Sequence, residues 1–250
     1  MLICSDMHLH DAQPQTTEFF LDWLSCRAQG ADYLLLLGDV FDAWVGDDLT
    51  AVQEAGNTPP WKALSEAIAS LRDQRPLYLG LMVGNRDFLM GPGIARLLGA
   101  NCLADYLVLS HPGLSDDPAL LCHGDSLCIA DTAYQKWRAQ ARSHAWQQQF
   151  LSEPLARRQD FAMGLRMQSE QEKEHKPSTY MDVVPEEADR LLTEYGAGVL
   201  VHGHTHLPGC YRLPSGRPRW VLPDWAAPHE GARGGGLQID SQGIRVVPLV

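Results

Sequence analysis

The chain begins "MLICSDMHLH" (Met1–His10). Leu2, Ile3 and Cys4 make an apolar run of strand length, and Asp6, His8 and His10 follow at alternating positions, which places them on one face of whatever comes next. Alone, such a D-x-H is a polar turn after a strand. The same transition recurs in "YLLLLGD" (33–39), "LYLGLMVGNRD" (77–87), "ALLCHGD" (119–125) and "GVLVHGHTH" (198–206). Each time an apolar run stops in residues able to hold a cation. Between the first two, "TTEFFLDWLSCRAQG" (16–30) has helical spacing at Phe20, Trp23 and Leu24, with Gly30 as a stop. "PPWKALSEAIASLRDQ" (59–74) reads the same way, with prolines at its start and Trp61, Leu64, Ile68 and Leu71 on one face. Strands alternating with helices predict a layered α/β fold, in which ligands gather beyond the carboxyl ends of the strands. All five polar clusters fall there.

The pattern changes from 131 to 185, where the residues give two or three helical stretches and no strand ending in ligands. This segment reads as a helical insertion into a core made of 1–130 and 186–250. After it comes a helix opened by Pro185 and stopped by Gly196. Two hairpins follow, "CYRLPSGRPRWVL" (210–222) and "GLQIDSQGIRVVPLV" (236–250), with Pro, Gly and Ser in their turns. Trp137, Trp146, Phe150, Leu151, Leu155, Phe161, Met163, Leu165 and Met167 make the insertion unusually apolar. Its helices either pack on the α/β core or form a cap over the ligand-rich edge.

Composition bounds the function. At 250 residues, with 45% hydrophobic and 20% charged residues, the chain is an ordinary globular protein large enough for one sizeable core. No apolar stretch approaches the roughly 18 residues of a membrane span, and a strand starting at Leu2 leaves no room for a signal peptide. Six cysteines without C-x-x-C pairs read as mostly small buried hydrophobes in a reducing compartment. A net charge of −11 argues against a protein that coats nucleic acid. Residues 136–176 nevertheless hold eight Lys/Arg against five Asp/Glu, so this island is either an anion or membrane-surface site or a solvated helical face.

Together the five strand ends supply Asp6, His8, Asp39, Asn85, His123, His204 and His206. Seven oxygen and imidazole donors exceed what one ion needs and suit two divalent cations, with the two oxygens of Asp39 able to bridge. Without a thiolate the set points to Mn²⁺, Fe²⁺ or Zn²⁺ rather than a structural zinc. Other residues read plainly. Ser126 lacks a nucleophile elbow, and "GNTPPWKALS" (56–65) lacks the end of a P-loop. His10, His111, His144 and His229 read as surface or packing residues, and Asp47-Asp48 as a turn or cap that could also orient a ligand histidine. His202 alternates with His204 and His206 and by spacing alone could be a ligand.

The motif order D-x-H, GD, GNRD, HGD, GHTH resembles the calcineurin-like metallophosphoesterase superfamily over nearly the whole chain outside the insertion. Within it, "SDMHL", "LLGDVFDAWVGDD", "GNRDFLMG", "HGDSLC", "HGHTHLP" and "WVLPDW" resemble the UDP-2,3-diacylglucosamine pyrophosphatase family of Gram-negative lipid A synthesis. Arg86, where many superfamily members carry a histidine acid, and the "FDAWVGDD" extension carry most of that narrower likeness. Met7 and Pro223 depart from the family's usual Leu and Gly, and neither is a donor.

The resemblance implies an α-β-β-α sandwich with a helical cap. One ion would be held by Asp6, His8 and His206, the other by Asn85, His123 and His204, with Asp39 between. This pattern uses the last two histidines of "HGHTH" and not His202. The implied reaction is hydrolysis of the diphosphate of UDP-2,3-diacylglucosamine to UMP and the diacylglucosamine 1-phosphate, on the cytoplasmic face of the inner membrane with the protein peripherally attached. A phosphodiesterase of the same superfamily acting on a non-lipid nucleotide is the alternative, and a metal-free binding scaffold would require lost ligands. Asn85, Arg86 and Asp39 are then catalytic. Arg86 suits a phosphate clamp, since a guanidinium does not give up its proton. Asn85, Arg86, Asp131, Ser169, Lys173, Lys176 and His204 align with substrate contacts. No protein partner is implied.

Overall fold

A computed structural model describes residues 1–52, 58–114, 117–175 and 182–249, with 168–175 as backbone. Two sheets lie at its centre. The first contains β1 (Leu2–Cys4), β2 (Tyr33–Leu37), β3 (Tyr78–Met82), β4 (Asn101–Cys102), β10 (Gly236–Asp240) and β11 (Gly243–Val247), in the order β11-β10-β1-β2-β3-β4. The second contains β5 (Tyr106–Leu109), β6 (Ala119–Cys122), β7 (Val199–His202), β8 (Gly209–Arg212) and β9 (Pro218–Val221), in the order β5-β6-β7-β9-β8. β1 to β4 run parallel, as do β6, β7 and β9. The hairpins expected near the end of the chain are β8–β9 and β10–β11.

The apolar runs are continuous because both faces of each central strand are covered. Ile3, Leu35, Leu37 and Met82 of the first sheet meet Leu121, Val199 and Val201 of the second between the layers. Leu2, Leu34 and Leu36 face outward against Phe20 and Leu24 of α1 (Pro14–Arg27), and Leu64 and Ile68 of α2 (Pro60–Gln74). The other sheet buries Leu120 and Leu200 against Leu191 and Leu192 of α7 (Pro185–Glu194). The result is the helix–sheet–sheet–helix sandwich that the sequence predicted. α3 (Pro92–Leu98), β4 and β5 had no clear signal, being short and in part exposed.

Residues 132–175 form three successive helices, α4 (Thr132–Ala141), α5 (His144–Ser152) and α6 (Leu155–His175). Asp131 caps α4, accepting from the Tyr134 N–H at 3.0 Å, and Ser143 caps α5. Trp146 stacks on Phe150 at 4.7 Å and meets Trp137 edge-on at 5.2 Å. The charge of this segment is largely internal. Arg158 is buried, donates to the Val45 carbonyl and pairs with Asp48, and Arg166 pairs with Asp42. Arg138 donates to Asp125 at 2.7 Å and Asp105 at 3.0 Å, and Arg142 to the Gly84 carbonyl at 2.9 Å. Among the described side chains the basic island is therefore in good part a set of staples to acidic loops. The cysteines also depart from expectation: Cys4, Cys122 and Cys128 are buried, Cys26, Cys102 and Cys210 exposed, and all six are free thiols.

Candidate metal centre

The loops after β1, β2, β3, β6 and β7 carry the seven donors, and the fold brings all seven together. Asp6 Oδ1 lies 3.4 Å from His206 Nε2 and 3.9 Å from His8 Nε2, and the two Nε2 atoms are 3.4 Å apart. Beside them, Asn85 Oδ1 lies 3.0 Å from His123 Nε2 and 2.8 Å from His204 Nδ1. Asp39 stands between the groups, with Oδ2 3.8 Å from His8 Nε2 and Oδ1 3.7 Å from His123 Nε2. One carboxylate thus offers an oxygen to each side.

These donors are not presented by strand alternation. Asp6, His8, Asp39, His204 and His206 have φ of 57°, 48°, 49°, 66° and 55°, and they are the five non-glycine residues with positive φ among those described. The left-handed backbone costs stability at each position and marks the site as constrained. It also explains His202. Alternation would have grouped it with His204 and His206, but the chain turns after β7. His202 is left fully buried, its Nδ1 2.8 Å from the Gly203 carbonyl. The glycines of the motifs serve close approach: a Cβ on Gly84 would run into Asp39, and one on Gly203 into Asp6 and Ser5.

Electrostatics follow from packing charged groups without water. Burial, reinforced by Asp87 and Asp6, raises the Asp39 carboxyl to about 7 despite His123. Burial opposes a charge on His123, yet Asp39, Asp6 and Asp125 outweigh it and hold that imidazole up at about 9. Burial disfavours the Asp6 anion too, but the His206 imidazole beside it, with those of His123 and His8, keeps its pKa well below the usual range. His8 and His204 are pushed down to about 3, by burial first and by neighbouring positive groups next. Neutral His8 and His204 beside the anionic Asp6 suit a divalent cation, which would have to displace the proton of His123.

The residues fit two such ions. Asp6 Oδ1 is buried without a hydrogen-bond partner, beside two Nε2 atoms that cannot satisfy one another as lone pairs. Asp6 with His8 and His206 forms one convergent group, and Asp6 with Asp39 and His123 another.

Several supports were invisible to spacing. Asp87, the last residue of "GNRD", is fully buried and accepts from the backbone N–H of Gly84 and Val40 at 2.7 Å each, and more weakly from those of Asp39 and Phe41. Asp125 of "HGD" accepts from the Tyr134 hydroxyl at 2.6 Å and anchors α4. Asp47 ties Trp44 Nε1 to the backbone of Gly91 and Gly93, and neither it nor Asp48 orients a ligand histidine. Ser126 accepts from the Tyr106 hydroxyl.

Next to the donors lies a cavity of about 530 Å³. It is lined by His8, Asp39, Asn85, His204 and His206 of the donor set and by the aromatics Trp137, Trp146, Phe150 and Phe161. Arg86 lines it too. Its N–H donates to Asp39 Oδ1 at 2.8 Å, and no carboxylate among the described residues pairs with its guanidinium. Asp131 also lines the cavity. Ser169 and Lys173 lie on α6, where the backbone alone is described, and Lys176 lies outside the described residues.

Residues 1–208 match the family model for calcineurin-like phosphoesterases. Among curated proteins, UDP-2,3-diacylglucosamine hydrolase of Bordetella pertussis is 41% identical, over 99% of this chain and 94% of its own. The proteins of that name from Chromohalobacter salexigens and Cellvibrio japonicus are each 42% identical, over 90% and 92% of this chain and 88% and 92% of theirs. A donor set fit for two cations and likeness along the full length agree: the chain belongs to the calcineurin-like phosphoesterase family and, within it, to the UDP-2,3-diacylglucosamine hydrolases.

Proposed function

We propose that the protein hydrolyses the diphosphate of UDP-2,3-diacylglucosamine, giving UMP and 2,3-diacylglucosamine 1-phosphate in lipid A synthesis. The observation that carries this reading is one cavity whose lining joins a polar half, His8, Asp39, Asn85, His204, His206 and Arg86, to an apolar half, Trp137, Trp146, Phe150 and Phe161. A substrate with a diphosphate at one end and two acyl chains at the other matches both halves. Two divalent cations, Mn²⁺ in our reading, would be held by Asp6, His8 and His206 and by Asn85, His123 and His204, with Asp39 shared. When bound they supply positive charge for the diphosphate and make a water nucleophilic.

The chain's own residues do the rest. Arg86 places a bidentate charge on a phosphate oxygen and stabilises the developing charge without donating a proton. Asn85 and His204 hold the diphosphate end, and Asp39 fixes the spacing of the two donor groups. Residues 131–185 act as a cap on a core made of 1–130 and 186–250. Its aromatics exclude water around the acyl chains, while Asp131, Ser169, Lys173 and Lys176 meet the sugar and phosphate.

No helix among the described residues is long and apolar enough to cross a membrane. In our reading the protein meets its lipid from the cytoplasmic face of the inner membrane, as a peripheral protein. Incubation of the purified protein with Mn²⁺ and the UDP-diacyl sugar, followed by mass spectrometry, tests the reading. UMP and the lipid sugar phosphate are expected. An intact lipid substrate alongside rapid cleavage of a small chromogenic phosphodiester would overturn the substrate and keep the chemistry.

A further inference from the structure

The two donor groups are supported differently on the far side of their imidazoles. His123 turns Nδ1 to the Leu37 carbonyl at 2.9 Å, a neutral acceptor. His8 Nδ1 is buried and without a hydrogen-bond partner. His206 alone of these three faces a carboxylate, with Nδ1 3.7 Å from Asp224 Oδ2. Asp224 is itself buried and accepts from Arg233 Nε at 3.0 Å.

The segment bearing Asp224 is held rigidly. The next residue, Trp225, donates its N–H to the Asp6 carbonyl at 3.2 Å, so adjacent residues support two donors of one group. The Trp225 ring packs edge-on against Phe20 at 4.9 Å and Trp23 at 5.0 Å. Ala226 and Arg233 exchange backbone hydrogen bonds at 3.1 Å each, which returns Arg233 to Asp224.

We infer that Asp224 is a positioning residue for His206, holding the proton on Nδ1 and turning the Nε2 lone pair toward Asp6 and His8, with Arg233 moderating its charge. The inference rests on the two-ion reading above. A carboxylate behind a ligating imidazole fixes its tautomer and raises its basicity, and losing it typically costs about 10- to 100-fold in metal affinity. Because Asp224 stands behind a donor of one group, the loss falls on one ion. The ion at Asn85, His123 and His204, with no contact to Asp224, is spared.

The test is titration of MnCl2 into ion-free protein by calorimetry, with electron paramagnetic resonance reporting the coupled pair. Wild type is expected to bind two ions, and failure there overturns the two-ion reading along with this one. Asp224→Asn is expected to weaken one binding step by about 10- to 100-fold, to leave the other unchanged, and to lose the coupled signal at limiting metal. Arg233→Gln, which leaves the carboxylate to His206, is expected to preserve or tighten the same step. Two unchanged steps in Asp224→Asn, an equal fall in both, or a weakened step in Arg233→Gln would each overturn the role of Asp224 while leaving the two-ion reading intact. A measurement on wild type alone covers the case of an unfolded variant. Nitrogen-15 spectra of the Zn²⁺-loaded protein should show His206 protonated at Nδ1, and a bare Nδ1 overturns the inference.

Discussion

Asp39 stands between the donor groups, with one oxygen toward each. Asp39→Ala is expected to remove most bound metal and nearly all turnover, whereas Asn85→Ala should lose mainly one ion's share; metal analysis beside a rate assay checks both. Arg86 acts on charge and geometry together. Arg86→Lys should lower turnover with metal content intact, and Arg86→Ala should cost about 10²–10³ in kcat, the usual effect of removing a preorganised donor. The left-handed backbone gives a prediction independent of activity. His206→Gly should be more stable than His206→Ala by about 1–2 kcal/mol in urea unfolding of the ion-free protein, since only the alanine keeps the Cβ penalty at φ 55°. The seven donors were legible because each follows an apolar run. Their backbone was not, since alternation assumes extended chain, and Asp87, Asp125 and Asp224 act on partners that lie far off in sequence or are reached through backbone N–H groups.

Among the elements, α6 is fastened by ion pairs from Arg158 to Asp48 and Arg166 to Asp42, and by a hydrogen bond from Arg158 to the Val45 carbonyl. The "FDAWVGDD" extension, legible only as a family marker, thus acquires a physical task as the strip to which α6 is fastened. Arg158→Met should loosen α6, raising hydrogen exchange there and KM for the diacyl substrate while sparing kcat on a small phosphodiester. The pH dependence has a definite sign. The hydrogen bond from Arg158 holds the Asp48 carboxyl below its ordinary value, so its contribution is present above about pH 4 and lost as pH falls through the lower folded value. Asp48 is half exposed, so the effect is small. Thermal melts between pH 5 and 3 should fall less steeply for Asp48→Asn than for wild type.

For the whole molecule, the sandwich was legible because its central strands are apolar on both faces, and so read as uninterrupted runs between periodic helices. The net charge of 136–176 was a weaker guide, because composition does not reveal which arginines are spent on the carboxylates of other loops. A substrate spanning donor edge and apolar cavity should be sensitive to chain length. Each methylene withdrawn from water is worth roughly 0.8 kcal/mol, so removing several carbons from both acyl chains should raise KM or lower kcat by orders of magnitude. Steady-state kinetics on a graded series of acyl lengths measures this directly.

β1 lies in the middle of its sheet, with β2 on one side and the antiparallel β10 on the other, Leu2 opposite Gln238 and Ile3 opposite Leu237. Asp6 and His8 follow directly from it, and their partner His206 and the Trp225 N–H come from the far end of the chain. The residues that follow β1 therefore leave the ribosome well before the partners they finally meet. Pairings of such high contact order make for slow assembly, and the first cation group cannot exist on a nascent chain. Metal acquisition should accordingly be a late, post-translational event: adding Mn²⁺ during refolding should raise the final yield of active protein without accelerating the rate-limiting phase seen by tryptophan fluorescence.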